Sequence, residues 1–216
     1  MSGLFRWDYV WSHLDDIGTQ TVEHLKLTFL AVAIGLLISG PLALLAFRYR
    51  WTYPPITWVT GILYTIPSLA VFAFLRAYTG LTTLTAVIPL VSYTLLILIR
   101  NIVAGLRAVP ADVKEAARGM GLRERQLLWK VELPLALPVI AAGIRIATVT
   151  TVGLVTVSAI VGQGGVGLFI LRGIRSQAST LTLLGAGLAI IIATVLDLLL
   201  LVAERKLVPW ARKSAG

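Results

Sequence analysis

The 216-residue sequence has no cysteine, few charged residues and only two histidines. Without cysteine there are no disulfides and no thiol chemistry, so the sequence carries no sign of its redox compartment. Charged residues make up 13% of the chain, against about 25% in a typical soluble domain, which excludes a water-soluble enzyme. No Gly-x-x-x-x-Gly-Lys-Ser/Thr element occurs, which excludes ATP binding in the P-loop manner. His13 and His24 both fall in the N-terminal segment with no second ligand set at metal spacing. They read as solvated polar residues, and neither a metal site nor a catalytic set is expected. The first 24 residues carry Asp8, Asp15, Asp16 and Glu23, unlike the basic start of a cleaved signal peptide.

What the chain has is long stretches free of charge. Residues 27–47, 51–75, 77–99, 146–171 and 176–196 contain no Asp, Glu, Lys or Arg, and their lengths are 21, 25, 23, 26 and 21 residues. A helix rising about 1.5 Å per residue crosses a hydrocarbon core of about 30 Å in about 20 residues, so each run is long enough to span. A membrane β-barrel would instead show short alternating segments. The expectation is an all-α membrane protein with about five transmembrane helices. Three parts follow: an extracytoplasmic segment over 1–24, a single transmembrane domain over 25–205 and a cytoplasmic tail over 206–216. No internal repeat is visible, which disfavours a transporter built from two matched halves.

The net charge of +9 is read through topology, not as a nucleic-acid footprint. Thirteen of the 19 basic residues fall on one side: Arg48 and Arg50, seven between Arg100 and Lys130, and Arg205, Lys206, Arg212 and Lys213. The positive-inside bias places that side in the cytoplasm, the N-terminus outside and the C-terminus inside. Arg172 and Arg175 fall on the opposite side, a mild strain on this assignment. Ala31, Gly35, Ser39 and Ala43 recur every four residues, a small-residue stripe of the kind that lets membrane helices approach closely. Pro41, Pro67 and Pro89 each lie inside a run and are expected to kink it.

The loop over residues 100–134 is the informative part. Pro110 precedes a helix-forming run, Ala111 to Arg118, with Asp112 in its first turn. Gly119 and Gly121 break that helix, and one of them is expected at positive φ. A second helix over 123–131 is expected to end at Pro134. Ala116 and Ala117 offer a small surface to a partner, and Leu127, Leu128 and Trp129 an apolar base.

Glu115-Ala116-Ala117, three residues, Gly121, nine residues, Val131, one residue and Leu133-Pro134 resemble the EAA loop of ABC importer permeases. That pattern reads E-A-A-x3-G-x9-I-x-L-P, and the single departure is Val131 for Ile. The resemblance covers about residues 55–205. It implies a type I importer permease fold, with a coupling loop over about 108–134 that sits in a groove of an ATPase subunit. It further implies a second permease chain (homodimer or heterodimer), two ATPase subunits holding ATP and Mg, and an extracellular substrate-binding protein. The setting implied is the plasma membrane of a prokaryotic cell. This chain itself needs no cofactor, and no nucleic acid is expected.

Finer likeness narrows the solute. Tyr64-Thr65-Ile66-Pro67-Ser68-Leu69-Ala70-Val71-Phe72-Ala73-Phe74 resembles a segment of glycine betaine, carnitine and choline permeases. So does Ser158-Ala159-Ile160-Val161-Gly162-Gln163-Gly164-Gly165-Val166-Gly167 with the following Arg172-Gly173-Ile174. Permeases for methionine or sulfonates share the EAA loop, and a secondary transporter is the more distant alternative. Gly162, Gly164 and Gly167 also satisfy the dinucleotide fingerprint, but no strand precedes them, and a flexible turn or re-entrant bend is the better reading.

Two further sets stand out. Thr148, Thr150, Thr151, Thr156 and Ser158 load the fourth run with hydroxyls. Each either bonds its own helix carbonyl or joins a polar strip on the pathway, with Thr148, Thr151 and Thr156 as candidates. Arg145 and Asp197 are the ionisable residues expected inside the bilayer, at similar depth on antiparallel spans. An unpaired charge there costs at least about 2.5 kcal/mol, so either the two are in contact near a gate, which is the expectation, or each snorkels separately, Arg145 reaching the headgroups.

Overall fold

The structure, a computed structural model, describes residues 5–207. The proposed tail beyond Leu207, with Arg212 and Lys213, lies outside the described residues, as do residues 1–4. Ten α-helices occur in the described region. A short α1 (Trp7–Ser12) leads into α2 (Leu14–Arg48), which at 35 residues is far longer than its charge-free run. A charge-free run marks the stretch that tolerates hydrocarbon, whereas helix hydrogen bonding carries on into the flanks. Residues 14–24 of the expected extracytoplasmic segment are thus helical and continuous with the first span.

The second run does not form a single helix. α3 (Tyr53–Thr65) and α4 (Ser68–Thr79) meet at 88° across Ile66-Pro67. Pro67 lacks an amide donor and forces the preceding residue out of the helical region, and Ile66 is extended at φ −65°, ψ 130°. The Tyr93 hydroxyl donates to the freed Ile66 carbonyl. Proline inside a helix does not always break it: α2 continues through Pro41 and α5 (Thr83–Ala108) through Pro89.

Next come α6 (Ala111–Gly119), α7 (Glu124–Leu127), a π-helical turn over Leu128–Glu132 and α8 (Leu133–Ser158). Pro134 does not end a helix, contrary to expectation. It sits in the first turn of α8 directly after the π-helical turn, and the helix continues through it from Glu124 to Val161. The fourth span thus runs over Glu124–Val161 and carries Arg145 within it. The last ten residues of the fourth charge-free run belong elsewhere: the chain turns over Gly162–Val166 and begins α9 (Gly167–Ser176) before α10 (Ser179–Leu207).

Packing gives the direction of each span. Leu27 and Ala31 of α2 cluster with Ala86, Val87 and Leu90 of α5 and with Val155 of α8. Ala43 and Ala46 cluster with Ile99, Ile102, Val103 and Leu106 of α5 and with Ala136 of α8. Hence α2 and α5 run parallel and α8 runs against them. Since α2 and α5 are parallel, the bent pair α3–α4 has to return the chain across the layer, which makes five crossings in spite of the 88° corner. Thr79 at the end of α4 lies 2.7 Å from Thr85 at the start of α5, hydroxyl to hydroxyl. α5 is the centre, with two-thirds of its apolar window buried, whereas only 11% of the α10 window is buried.

The small-residue stripe of α2 faces α5: Ala31, Ser39 and Ala43 are fully buried. At Gly35 a Cβ would collide with Thr94, so the close approach of the two helices needs glycine there.

Candidate functional site: a docking loop and two charge clusters

One end of the bundle carries α6 and α7 (the loop end) and the other carries the Gly162–Val166 turn (the glycine end). At the loop end, α6 closes in a Schellman motif. Leu122 N–H donates to the Ala117 carbonyl at 3.2 Å and Gly121 N–H to the Arg118 carbonyl at 2.9 Å. That pattern requires a left-handed residue at the cap, and Gly121 supplies φ +82°. Of the two candidate glycines, Gly121 makes the turn and Gly119 ends the helix. Arg118 then reaches across to Glu124 with Nε 2.8 Å from Oε1, tying the last turn of α6 to the first turn of α7. This hydrogen bond raises the already high Arg118 pKa further.

The residues matched to the EAA pattern separate into two groups. Glu115, Ala116 and Gly121 are exposed on the outer surface of the loop, available to a partner. Ala117 is not: it is 2% exposed and packs inward. Val131, Leu133 and Pro134 are half-buried where the loop joins α8 and position the loop from below. Leu127 is buried, as an apolar base would be, while Trp129 is 60% exposed.

Deeper along α8 the structure brings Arg145 and Asp197 together. Arg145 Nε lies 2.9 Å from Asp197 Oδ1 and Nη2 lies 3.0 Å from Oδ2, a two-pronged pairing of guanidinium and carboxylate. Glu204, one α10 heptad further on, adds a third member at 3.3 Å from Arg145 Nη1. The sequence reading missed Glu204, although its i+7 spacing from Asp197 puts both on one helix face. Arg145 and Asp197 line a cleft of about 610 Å³ between α8 and α10, together with the hydroxyl residues Thr150 and Thr194. Thr148 and Thr151 are elsewhere: both are buried inside the bundle and donate to their own helix carbonyls, Ile144 and Ala147. Thr156 also bonds its own helix, at Gly153, and is half-buried.

The glycine end has its own polar set. His24 is fully buried, which corrects the expectation of a solvated side chain; only His13 is exposed. His24 Nε2 lies 3.1 Å from the Val152 carbonyl, and Nδ1 has no partner. Periodicity held the clue, because His24 lies three and four residues before Leu27 and Thr28 on the buried face of α2. Gln20 accepts the Gly165 amide at 3.0 Å, and Arg172 pairs with Asp16 at 3.0 Å, which gives that apparently misplaced cation its partner. Among the described residues no three His, Asp or Glu side chains gather as a metal would require.

This five-span bundle with an exposed loop between spans three and four has counterparts. Residues 27–213 match the family described as binding-protein-dependent transport system inner membrane component. The chain belongs to this family. The permease is 36% identical over 197 residues to the osmoprotectant import permease protein OsmW of Salmonella typhimurium, covering 89% of this chain and 92% of that one. It is 36% identical over 190 residues to the choline transport system permease protein OpuBB of Bacillus subtilis, covering 88% of each. It is 36% identical over 196 residues to the carnitine transport permease protein OpuCB of Listeria monocytogenes, covering 91% of this chain and 90% of that one. In structure it is similar to the MetNI methionine ABC transporter, with a TM-score of 0.79 over 91% of this chain and 98% of that one. At 22% identity this likeness shows the fold, a type I ABC importer permease.

Proposed function

We propose that this permease is the membrane subunit of an ATP-driven importer for compatible solutes such as glycine betaine, choline and carnitine. The solute class is supported by the relatives whose names give osmoprotectant, choline or carnitine transport. Its partners are a second permease chain, two ATPase subunits that carry ATP and Mg, and an external substrate-binding protein. The loop end faces the cytoplasm, where the bias of Lys and Arg puts it, so the N-terminus is outside and the C-terminus inside.

The observation that carries the reading is the loop itself, with Glu115, Ala116 and Gly121 exposed on a turn that Gly121 fixes. A rigid knob on the cytoplasmic face is what an ATPase needs to grip. ATP-driven closure of the ATPases would move the two loops and favour one of two states of the pathway, since only differential affinity shifts such an equilibrium. Arg145, Asp197 and Glu204 form the gate cluster on the cytoplasmic half, and the route passes Thr156 and, in the open state, Thr148 and Thr151.

The experiment is uptake by proteoliposomes holding this chain, its ATPase and its binding protein, with labelled betaine, choline and carnitine in parallel and methionine as a control. The expected result is uptake of at least one of the three that needs both ATP and the binding protein. Uptake of methionine alone would move the chain to the amino-acid branch. Uptake without an ATPase would make it a secondary transporter.

A further inference from the structure

Lys114 precedes Glu115 on α6, yet its side chain turns into the loop end of the bundle, where only 16% of it is exposed. Its ammonium lies 3.1 Å from Glu132 Oε1, a carboxylate 8% exposed at the end of the π-helical turn that runs into α8. Nζ also donates to the Leu106 carbonyl at 3.3 Å. Leu106 lies in the last turn of α5, where carbonyls have no partner within the helix and a cation is favoured by the helix dipole. The third neighbour is Phe47 of α2, whose ring centre is 5.3 Å from the ammonium. An ammonium has three donors and no acceptor, so one group serves three elements besides its own.

The contrast with Arg118–Glu124 on the same loop is instructive. That pair is about half exposed at both partners, and exposed pairs contribute little to holding parts together. Glu132, by contrast, is a buried carboxylate, and loss of Lys114 would remove its ion-pair partner at high cost.

We propose that Lys114 is the positioning residue that clamps α6 to the loop ends of α2, α5 and α8, so that a displacement of α6 passes to those three helices as one rigid piece. The linkage continues along α8. Arg145 lies 13 residues beyond Glu132, about 20 Å along the helix, and there it holds α10 through Asp197 and Glu204. The two charge clusters are thus in series, α6 to α8 and α8 to α10. The inference rests on the proposal above that α6 docks an ATPase.

The test uses the reconstituted complex of the full chain with ATPase and binding protein, comparing wild type, Lys114→Met, Lys114→Arg and Glu132→Gln. Three quantities are read: ATPase co-purifying with the permease, ATP hydrolysed, and solute taken up per ATP. Lys114→Met is expected to keep ATPase association within about twofold while uptake per ATP falls about tenfold or more. Glu132→Gln, which keeps an acceptor but loses the charge, is expected to lose about threefold, and Lys114→Arg to restore most of the coupling. Unchanged uptake per ATP in both Lys114→Met and Glu132→Gln would overturn the proposal. So would a loss of ATPase association in step with uptake, because Lys114 would then act at the docking surface. If Lys114→Met does not accumulate in the membrane, Glu132→Gln and Lys114→Arg decide by the same criteria. Failure of the underlying reading looks different: wild type then retains no ATPase, which removes that reading and this proposal together before any variant is compared.

Discussion

The two ends of this permease are held by different physics. At the loop end and the half of the bundle next to it, charges make the connections: Lys114 with Glu132, Arg118 with Glu124, and Arg145 with Asp197 and Glu204. At the glycine end, glycine turns carry much of the connection, beside the Arg172–Asp16 ion pair. Gly162 at φ +82° and Gly165 at φ +103° fold the chain back over a buried His24 and the Gln20 side chain. Ion pairs between helices fix direction and distance while allowing one partner to drag the other. Turns built on glycine fix a path for the backbone, which side chains such as Gln20 and His24 then tie to the neighbouring helices. The difference teaches that motion imposed on the loop travels along α8 to α10, while the glycine end is shaped to keep its form or to hinge at a few backbone positions.

The largest expected effect comes from breaking the deeper charge cluster. Arg145→Asp would set three carboxylates together at bilayer depth, and Asp197→Arg would oppose two cations; uptake is expected to vanish in each. The double exchange keeps the charge count and is expected to recover part of the uptake. A double variant no better than the product of the singles would mean that the residues are not coupled. Glu204→Gln sharpens the point. It removes the single longer contact, not the two-pronged one, so its loss of uptake is expected to be smaller than that of Asp197→Asn.

The next effect tests the loop as a rigid knob. Gly121→Val places a β-branched residue at φ +82°, at a cost of about 1–2 kcal/mol in the turn. Insertion in the membrane is expected to be normal, with ATPase association weakened about tenfold, as that cost implies. Quantitative co-purification checks it. Wild-type association would show that the Schellman cap is not what presents Glu115 and Ala116.

A third measurement asks which half opens. The native chain has no cysteine, so cysteines at Thr148, Thr151 and Thr156 report on a clean background. Thr156 is expected to react with a small water-soluble thiol reagent in the nucleotide-free complex. Thr148 and Thr151, buried in the bundle, are expected to react only in a nucleotide-dependent state, if α8 moves as described. Silence at all three in every state would leave the hydroxyls as helix-satisfied groups.

The smallest effect lies at the glycine end. α9 closes in the same motif as α6, with Ala178 N–H donating to the Gly173 carbonyl at 2.9 Å, but Gln177 occupies the left-handed position at φ +54°. Gln177→Gly is expected to stabilise the chain by up to about 1 kcal/mol without changing uptake. Thermal unfolding in detergent reads it, and a lower midpoint would show that the Gln177 side chain has a role of its own.

Much of this architecture is legible in the residues. The charge-free runs give the number of crossings, and the spacing from Glu115 to Pro134 marks the docking loop. Depth arithmetic along two antiparallel helices brings Arg145 to Asp197. What escapes the sequence is tertiary. Pro67 breaks its span and Pro41 does not, because the Tyr93 hydroxyl and the packing of α5 accept the corner at Ile66. His24 is buried because it shares the α2 face with Leu27 and Thr28, and a lone polar residue outside a hydrophobic run hides that membership. Ala117 points inward although its neighbour Ala116 is exposed, a split that a motif read as one surface does not show. Lys114 and Glu132 lie 18 positions apart in a loop rich in charge, and nothing in the order of residues singles them out as partners.

The most direct measurement is a site-specific crosslink from the loop to the ATPase. Ala116→Cys, carrying a short photoactivatable label, is expected to capture the ATPase subunit in membranes holding the complex, with a yield that changes on adding ATP. Trp58→Cys, 76% exposed on α3 within the membrane layer, is expected to capture none under the same conditions. Capture at Ala116 that responds to ATP is the result predicted for a loop driven by the ATPase. No capture at Ala116, with intact complex and efficient labelling, would contradict it.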